Sequence, residues 1–253
     1  MKNDSFRSEI KNTVLGHDNT IVNILLQQLN SNISSRLIAE EEYINKNEER
    51  TKRIVELFEK FLFEYKNALD KPTIRCYGLF SDLAMVDNIL SDHSDRALLL
   101  SEEKESFIKS IQNNFPIRQI VSLDVNFIID VRGYSMEKFE NRSEELIGEI
   151  RSFEQAPNFE IVFDYKHRNR NTFIFGTDLM IDAIEIEKQS GYTTTLFTND
   201  KNKISKRIQE FDNWFSELHR EREIIKKHLT TWDVSVVCEQ LLRIRKNQYL
   251  DPK

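Results

Sequence analysis

Between Gly16 and Pro72 the chain contains neither glycine nor proline. Nothing in such a stretch interrupts a helix, because those two residues are the strongest breakers of regular backbone. Asp18, Asn19 and Thr20 stand where caps would open one, since their side-chain oxygens accept the free N–H groups of a first turn. Apolar residues then recur at helical spacing, at Val22, Leu26, Leu29, Ile33 and Leu37. The rhythm continues through Ile44, Ile54, Phe58, Phe61, Tyr65 and Ala68, with Glu40, Asn47 and Thr51 as a polar centre. The pattern predicts a helical segment over residues 1–71, either one very long helix or two broken near "NSNISS". An apolar stripe of this length has two outlets. It packs along the domain that follows, or it pairs with a second copy as a coiled-coil arm and makes a homodimer.

Lys71–Pro72 ends this pattern, because the residue before a proline is steered away from helical backbone. Strand and helix signals alternate from there. "TIRCYGLF" (73–80) reads as a strand, "SDLAMVDNILSD" (81–92) as a helix capped by Ser81 and Asp82, and "RALLL" (96–100) as a short strand. The segments 101–115, 117–123 and 135–156 read as helix, strand and amphipathic helix. "NFEIVFDY" and "NTFIFG" then read as an antiparallel hairpin joined by the basic loop "KHRNR" (166–170). "TDLMIDAIEIE" is ambiguous between helix and strand, "GYTTTLF" is a strand, and Asn199 and Asp200 cap a long helix. Such alternation predicts an α/β domain over 72–230, a mixed sheet covered by helices, with a further helix in 231–253.

Composition narrows the function classes. Six Gly and four Pro in 253 residues favour long elements over a loop-rich all-β fold. A net charge of −6 supplies no overall field to recruit nucleic acid or acidic lipid. Cys76 and Cys238 lack metal-binding spacing and read as small buried hydrophobes. The polar start "MKNDSFRSEIKNTV" does not read as a signal peptide, and no apolar run reaches membrane-spanning length. The expectation is a cytoplasmic chain without membrane insertion.

Carboxylates follow four predicted strands, at Asp82, Asp124, Asp164 and Asp200. Sites in α/β sheets gather at the carboxyl ends of strands, and a cluster of acids there can hold a divalent cation. Helix capping accounts for Asp82 and Asp200. Asp124, in "QIVSLDVNFIID", reads as the polar stop of a buried strand. The loop residues Lys166, His167, Arg168 and Arg170 are the candidate ligand-binding set, because cations grip phosphate oxygens and a guanidinium does so in pairs.

Two family resemblances bear on these residues. "LDVNFIID" and "TDLMIDAIEIEKQSGYTTTLFTND" resemble motifs of PIN-domain ribonucleases. That resemblance implies a metal-dependent nuclease with Asp124, Asp178 and Asp200 as ligands of Mg²⁺ or Mn²⁺. The element order from Thr73 to Leu218, closing on "GYTTTLFTNDKNKISKRIQEFDNWFSEL", resembles a phospholipase D-like domain. The segment "FEIVFDYKHRNRNTFIFG" would then carry the family's His-x-Lys-x4-Asp motif. At that spacing it offers Asn169, Asn171 and Gly176, or His167, Asn169 and Ile174. This resemblance implies a degenerate domain without catalytic residues or a cofactor, acting as a regulator or sensor that binds a small ligand or a protein partner. A nucleic-acid-binding regulator using the 166–170 loop is the remaining alternative.

Overall fold

The computed structural model describes residues 41–79, 95–131, 133–153, 155–187, 191–226 and 234–251. The expected stripe from Val22 to Leu37, its caps, and the helix over 81–92 with Asp82 lie outside the described residues. The strands are β1 (Glu42–Ile44), β2 (Ile74–Leu79), β3 (Ile117–Ser122), β4 (Phe159–Asp164), β5 (Arg170–Phe175), β6 (Leu179–Glu187) and β7 (Gly191–Thr198). The helices are α1 (Asn47–Tyr65), α2 (Asp95–Gln112), α3 (Met136–Phe153), α4 (Lys201–Lys226) and α5 (Val234–Leu250). The strands form one mixed sheet in the order β1-β7-β6-β5-β2-β3-β4. β2, β3 and β4 run parallel, and the remaining neighbours pair antiparallel. The α/β class with a helix-covered mixed sheet is therefore as expected.

Side chains alternate between the two sheet faces, and each face has its own helices. One face buries Ile74, Cys76, Ile117, Phe173, Phe175, Ile181 and Phe197 against α1 and α2. Towards the β4 edge, Val121, Ile161 and Phe163 pack on α3, and Val237, Cys238 and Leu242 of α5 close that cluster. The other face buries Tyr77, Ile120, Val162, Ile174 and Met180 under Ile204, Phe211 and Phe215 of α4. Cys76 and Cys238 are free and buried, and burial pushes both thiols up from their ordinary range.

Three sequence expectations are corrected. The first is the helical arm. Glu42–Ile44 is an edge strand on β7, with Tyr43 opposite Leu196, so no helix runs through it. α1 begins only after Lys46, with Glu48 and Glu49 in the first turn where the positive helix end favours acids. The stripe from Ile54 through Leu57, Phe58, Phe61 and Leu62 to Tyr65 packs on this chain's own sheet, which settles the outlet of that half of it. Phe58 meets Phe175 edge-on at 4.8 Å, and Phe61 lies 5.8 Å from Phe115.

The second correction is "RALLL", which belongs to α2 and not to a strand. A short apolar run carries no period of its own, so the helix that continues through Gln112 decides it. The third is the hairpin. β4 pairs only with β3, and β5 pairs with β2 and β6, so two strands separate them. The segment 165–169 is a crossing over the sheet's end. The ambiguous segment resolves as β6, joined to β5 by a tight turn at Gly176. Gly176 has φ +55°, and a Cβ there would stand 2.7 Å from Cβ of Pro72, so the turn sits against the α1–β2 connection only with glycine.

Candidate functional site

The parallel strands β2, β3 and β4 end level with one another, at Leu79, Ser122 and Asp164. The chain leaving β4 must pass over the ends of β3 and β2 to reach β5. Three strand spacings of about 4.8 Å make that a span of roughly 14 Å. Residues 165–169 bridge it, and Asn169 turns the chain into β5 with φ 48°.

Three consecutive N–H groups of the crossing are held by three side chains. Lys166 N–H donates to Asp164 Oδ1 at 3.1 Å, and His167 N–H to Asp124 Oδ2 at 3.0 Å. Arg168 N–H donates to the Tyr77 hydroxyl at 2.7 Å. The acceptors come from the end of β4, the residues just after β3, and β2. Asp124 Oδ1 also accepts Phe127 N–H at 3.0 Å, which starts the π-helical turn Phe127–Val131. Asp124 is thus a two-sided clamp between that turn and the basic loop.

The loop's side chains are seated as well. The His167 ring lies 4.4 Å from Phe127, and its Nδ1 is 3.3 Å from the Tyr77 hydroxyl. The Arg168 guanidinium lies 3.6 Å over Trp214 of α4. That arginine remains 56% exposed, with Nε 3.8 Å from Asp164. On the other side Arg245 of α5 covers Tyr165 at 4.3 Å. Burial pushes the Tyr77 phenol well above its ordinary range, with the Arg168 N–H bond acting the other way, so it stays a neutral hydroxyl. Lys166 is exposed, and Asp124 and Asp164 turn their oxygens onto loop N–H groups. Lys166 and Arg168 are therefore the exposed cations of the crossing, with Arg245 over Tyr165 on its other side. Tyr77, Trp214 and Arg245 were not singled out by sequence reasoning. Tyr77's alternation with Cys76 was the one available signal, since it puts the phenol on the opposite face.

The structure divides the expected ligand set. Arg170 belongs to the sheet face, with Nε 3.3 Å from Asp182 Oδ1 on β6. Asp182 also accepts Thr172 Oγ1 at 2.8 Å and Arg207 Nη2 of α4 at 3.3 Å. Arg170 holds sheet to helix, while Lys166, His167 and Arg168 stay at the strand ends.

The expected acid trio is also divided. Asp178 lies in the β5–β6 turn, beside the amino end of β2, where Phe175 faces Ile74. It is buried, accepts a hydrogen bond from the Tyr65 hydroxyl, and pairs with Lys201 Nζ at 2.9 Å. Asp200 caps α4, accepting Asn202 N–H at 2.8 Å and Lys203 N–H at 3.3 Å on Oδ1. Both stand at the opposite end of the sheet from Asp124. A six-residue strand separates them by roughly 20 Å, so Asp124, Asp178 and Asp200 do not form one ligand set. Among the described residues no group of three His, Cys, Asp or Glu side chains is placed to hold a metal ion.

A second charge cluster fixes α4 over the sheet. Arg75 of β2 makes two bonds to Asp212, Nε to Oδ1 at 2.8 Å and Nη2 to Oδ2 at 2.9 Å. Arg118 of β3 reaches the same carboxylate at 3.4 Å. Burial raises the Asp212 pKa, but the bonds and charges of Arg75 and Arg118 outweigh it and hold the carboxyl below its ordinary range. A depressed folded-state pKa stabilises the fold above the unfolded value and ceases to do so as pH falls through the folded one. The wild type should therefore lose stability more steeply than Asp212→Asn below about pH 4, where an unfolded aspartate begins to protonate. Urea midpoints between pH 5 and pH 2 measure this, and parallel pH profiles would refute it.

Among the described residues no helix is long and apolar enough to cross a membrane. No family model and no curated protein matches the chain. Among solved structures it is similar to TrmBL2, an archaeal chromatin protein whose structure shows a novel mode of DNA binding. The identity is 8%, the TM-score is 0.42, and the match covers 85% of this chain and 60% of that one. The chain thus spans less than two thirds of that protein, and a similarity at this score assigns no function.

Proposed function

We propose that this chain is a non-catalytic regulatory or sensor module that binds a small anionic, phosphate-bearing ligand at the crossing loop. The observation that carries the reading is the seating of three consecutive loop N–H groups on Asp164, Asp124 and Tyr77. Such a loop is set in one conformation before any ligand arrives, so little ordering cost remains on binding. Asp124 is spent on loop N–H groups, and Lys166 and Arg168 are exposed, with Asp164 3.8 Å from the Arg168 Nε. A rigid rim of cations favours an anion, and charge-assisted bonds to phosphate oxygens are the strong ones. The resemblance to degenerate phospholipase D-like domains is part of this proposal. It is supported by the segment from Gly191 to Leu218, which forms the strand, polar turn and helix that the resemblance calls for.

The test is a titration of the full chain with pyrophosphate, mononucleotides and short single-stranded RNA and DNA at two salt concentrations. Wild type should bind pyrophosphate or a mononucleotide in a salt-sensitive way. The double variant Lys166→Ala, Arg168→Ala should lose about 10-fold or more in affinity, the scale of one or two charge-assisted bonds. Its melting temperature should stay close to wild type, because both side chains are exposed. Wild type that binds none of these small anions would overturn the reading. Binding confined to the nucleic acids would replace it with a nucleic-acid regulator.

A further inference from the structure

Four rings follow one another along the crossing loop. Phe127 is 4.4 Å from His167, His167 lies nearly parallel to Tyr77 at 6.0 Å, and Tyr77 is 4.6 Å from Trp214. Arg168 ends the row, with its guanidinium carbon 3.6 Å over the Trp214 ring. At that distance the planar cation is laid on the indole face.

Three contacts hold Arg168 in this pose. Its N–H donates to the Tyr77 hydroxyl at 2.7 Å, its guanidinium rests on Trp214, and its Nε is 3.8 Å from Asp164 Oδ2. Part of its donor edge is thus turned towards an acid. Its plane is only half used. A guanidinium has two faces, and one lies on the indole. The side chain is still 56% exposed, so the second face is open to solvent. An arginine already fixed in this way gives up little further freedom when a ligand settles on it.

We propose that the anionic ligand of the crossing loop is a nucleotide, whose base stacks on the open face of Arg168 while its phosphate meets Lys166. The inference rests on the anion-binding reading above and adds a planar ring to it. Bases stack on arginine planes as they do on aromatic rings, and every base has a π face to offer. The result is a three-layer stack of Trp214, Arg168 and base, with the cation between two ring faces. Lys166 is two residues away, at most about 7 Å along the backbone. Its exposed ammonium is within reach of a phosphate one ribose away from the stacked base. Pyrophosphate would use the charges and leave the plane empty.

Adenosine 5′-monophosphate, ribose 5-phosphate and pyrophosphate are the probes, titrated into the full chain. The first two carry the same phosphate and sugar, so the ratio of their affinities isolates the base. Wild type should prefer the nucleotide by about 5-fold or more, the lower end of what one stacked base contributes. Arg168→Lys keeps the charge and removes the plane, and should bring that ratio close to one. In NMR spectra of the wild type the nucleotide should move the Arg168 Nε–H signal upfield by its ring current, and ribose 5-phosphate should not. Equal wild-type affinity for the two ligands would overturn the proposal, as would a preference that survives in Arg168→Lys. If pyrophosphate binds and the nucleotide has no advantage over ribose 5-phosphate, the stacking alone fails and the anion-binding reading stands. If none of the three binds, both fall.

Discussion

A chain beginning at Lys71 should fail to fold. It would lack α1, whose Ile54, Leu57, Phe58, Phe61, Leu62 and Tyr65 are all buried in the sheet's first core. Burial of such a side chain contributes about 1.5–3 kcal/mol, an upper estimate because unfolded chains are already partly compact. Six of them together are comparable to the roughly 5–15 kcal/mol that holds a whole domain folded. The apolar face of β2, β5 and β6 left bare would also favour aggregation. Far-ultraviolet circular dichroism and amide NMR on residues 71–253 measure this directly. A cooperative melt with native dispersion would mean that α1 is an appendage. The sequence pattern alone leaves both outcomes open, since a stripe that pairs with a second copy would be a detachable arm and one that packs along the following domain would not.

Asp182→Ala should be the most damaging single substitution among the charged residues described above. Asp182 is 7% exposed and stands between Arg170 of β5 and Arg207 of α4, with Thr172 donating to it as well. Its loss leaves two guanidiniums facing each other under α4 with no anion between them. Removing one partner of a buried ion pair costs about 3–5 kcal/mol. Both arginines keep some exposure to solvent, which screens their repulsion and lowers the expectation to about 2–4 kcal/mol. For a chain of this size that is a fall in melting temperature of roughly 5–15 °C. Asp182→Asn keeps the acceptor for Thr172 and should fall between wild type and alanine. Arg170→Ala should also be destabilising, whereas Arg168→Ala, with its exposed guanidinium, should be nearly neutral. Thermal melts of the four variants rank them, and an unchanged melt for Asp182→Ala would show that the cluster does not couple helix to sheet.

The contrast between Arg168 and Arg170 shows where sequence reading stopped. Both stand in one five-residue basic run and look equivalent there. β5 begins at Arg170, and the alternation of a strand sends its side chain onto the α4 face, towards Asp182. Arg168 precedes the strand and stays with the loop. The run reads as a hairpin turn because a polar segment between two apolar strands is the ordinary sign of one. Period-two patterning tells that a segment is a strand, but not which strand lies beside it. β2 and β3 insert between β4 and β5, so the same five residues become a crossing that must be tied down. Asp164 ties it from two residues away, but Asp124 and Tyr77 do so from 43 and 91 residues away.

The residues Asp124, Asp178 and Asp200 make the same point for the acids. Each follows or opens an element, and each is legible as polar punctuation. Asp200 is a cap because its carboxylate meets N–H groups two and three residues on, a local event that the sequence contains in full. Asp124 and Asp178 take partners from far along the chain, His167 and Tyr65, and strand direction puts them at opposite ends of the sheet.

By itself, the sequence determined the α/β class, the strands β2, β3 and β7, the helices α3 and α4 and the Asp200 cap. All of these rest on side-chain periods and on contacts within a few residues. Only the tertiary structure decided that the α1 stripe is spent on this chain's own core and that "RALLL" is helical. It alone made Glu42–Ile44 an edge strand on β7. Those outcomes depend on which surfaces compete for the same apolar side chains and the same backbone bonds. That competition is settled between segments tens of residues apart, where no local period reaches.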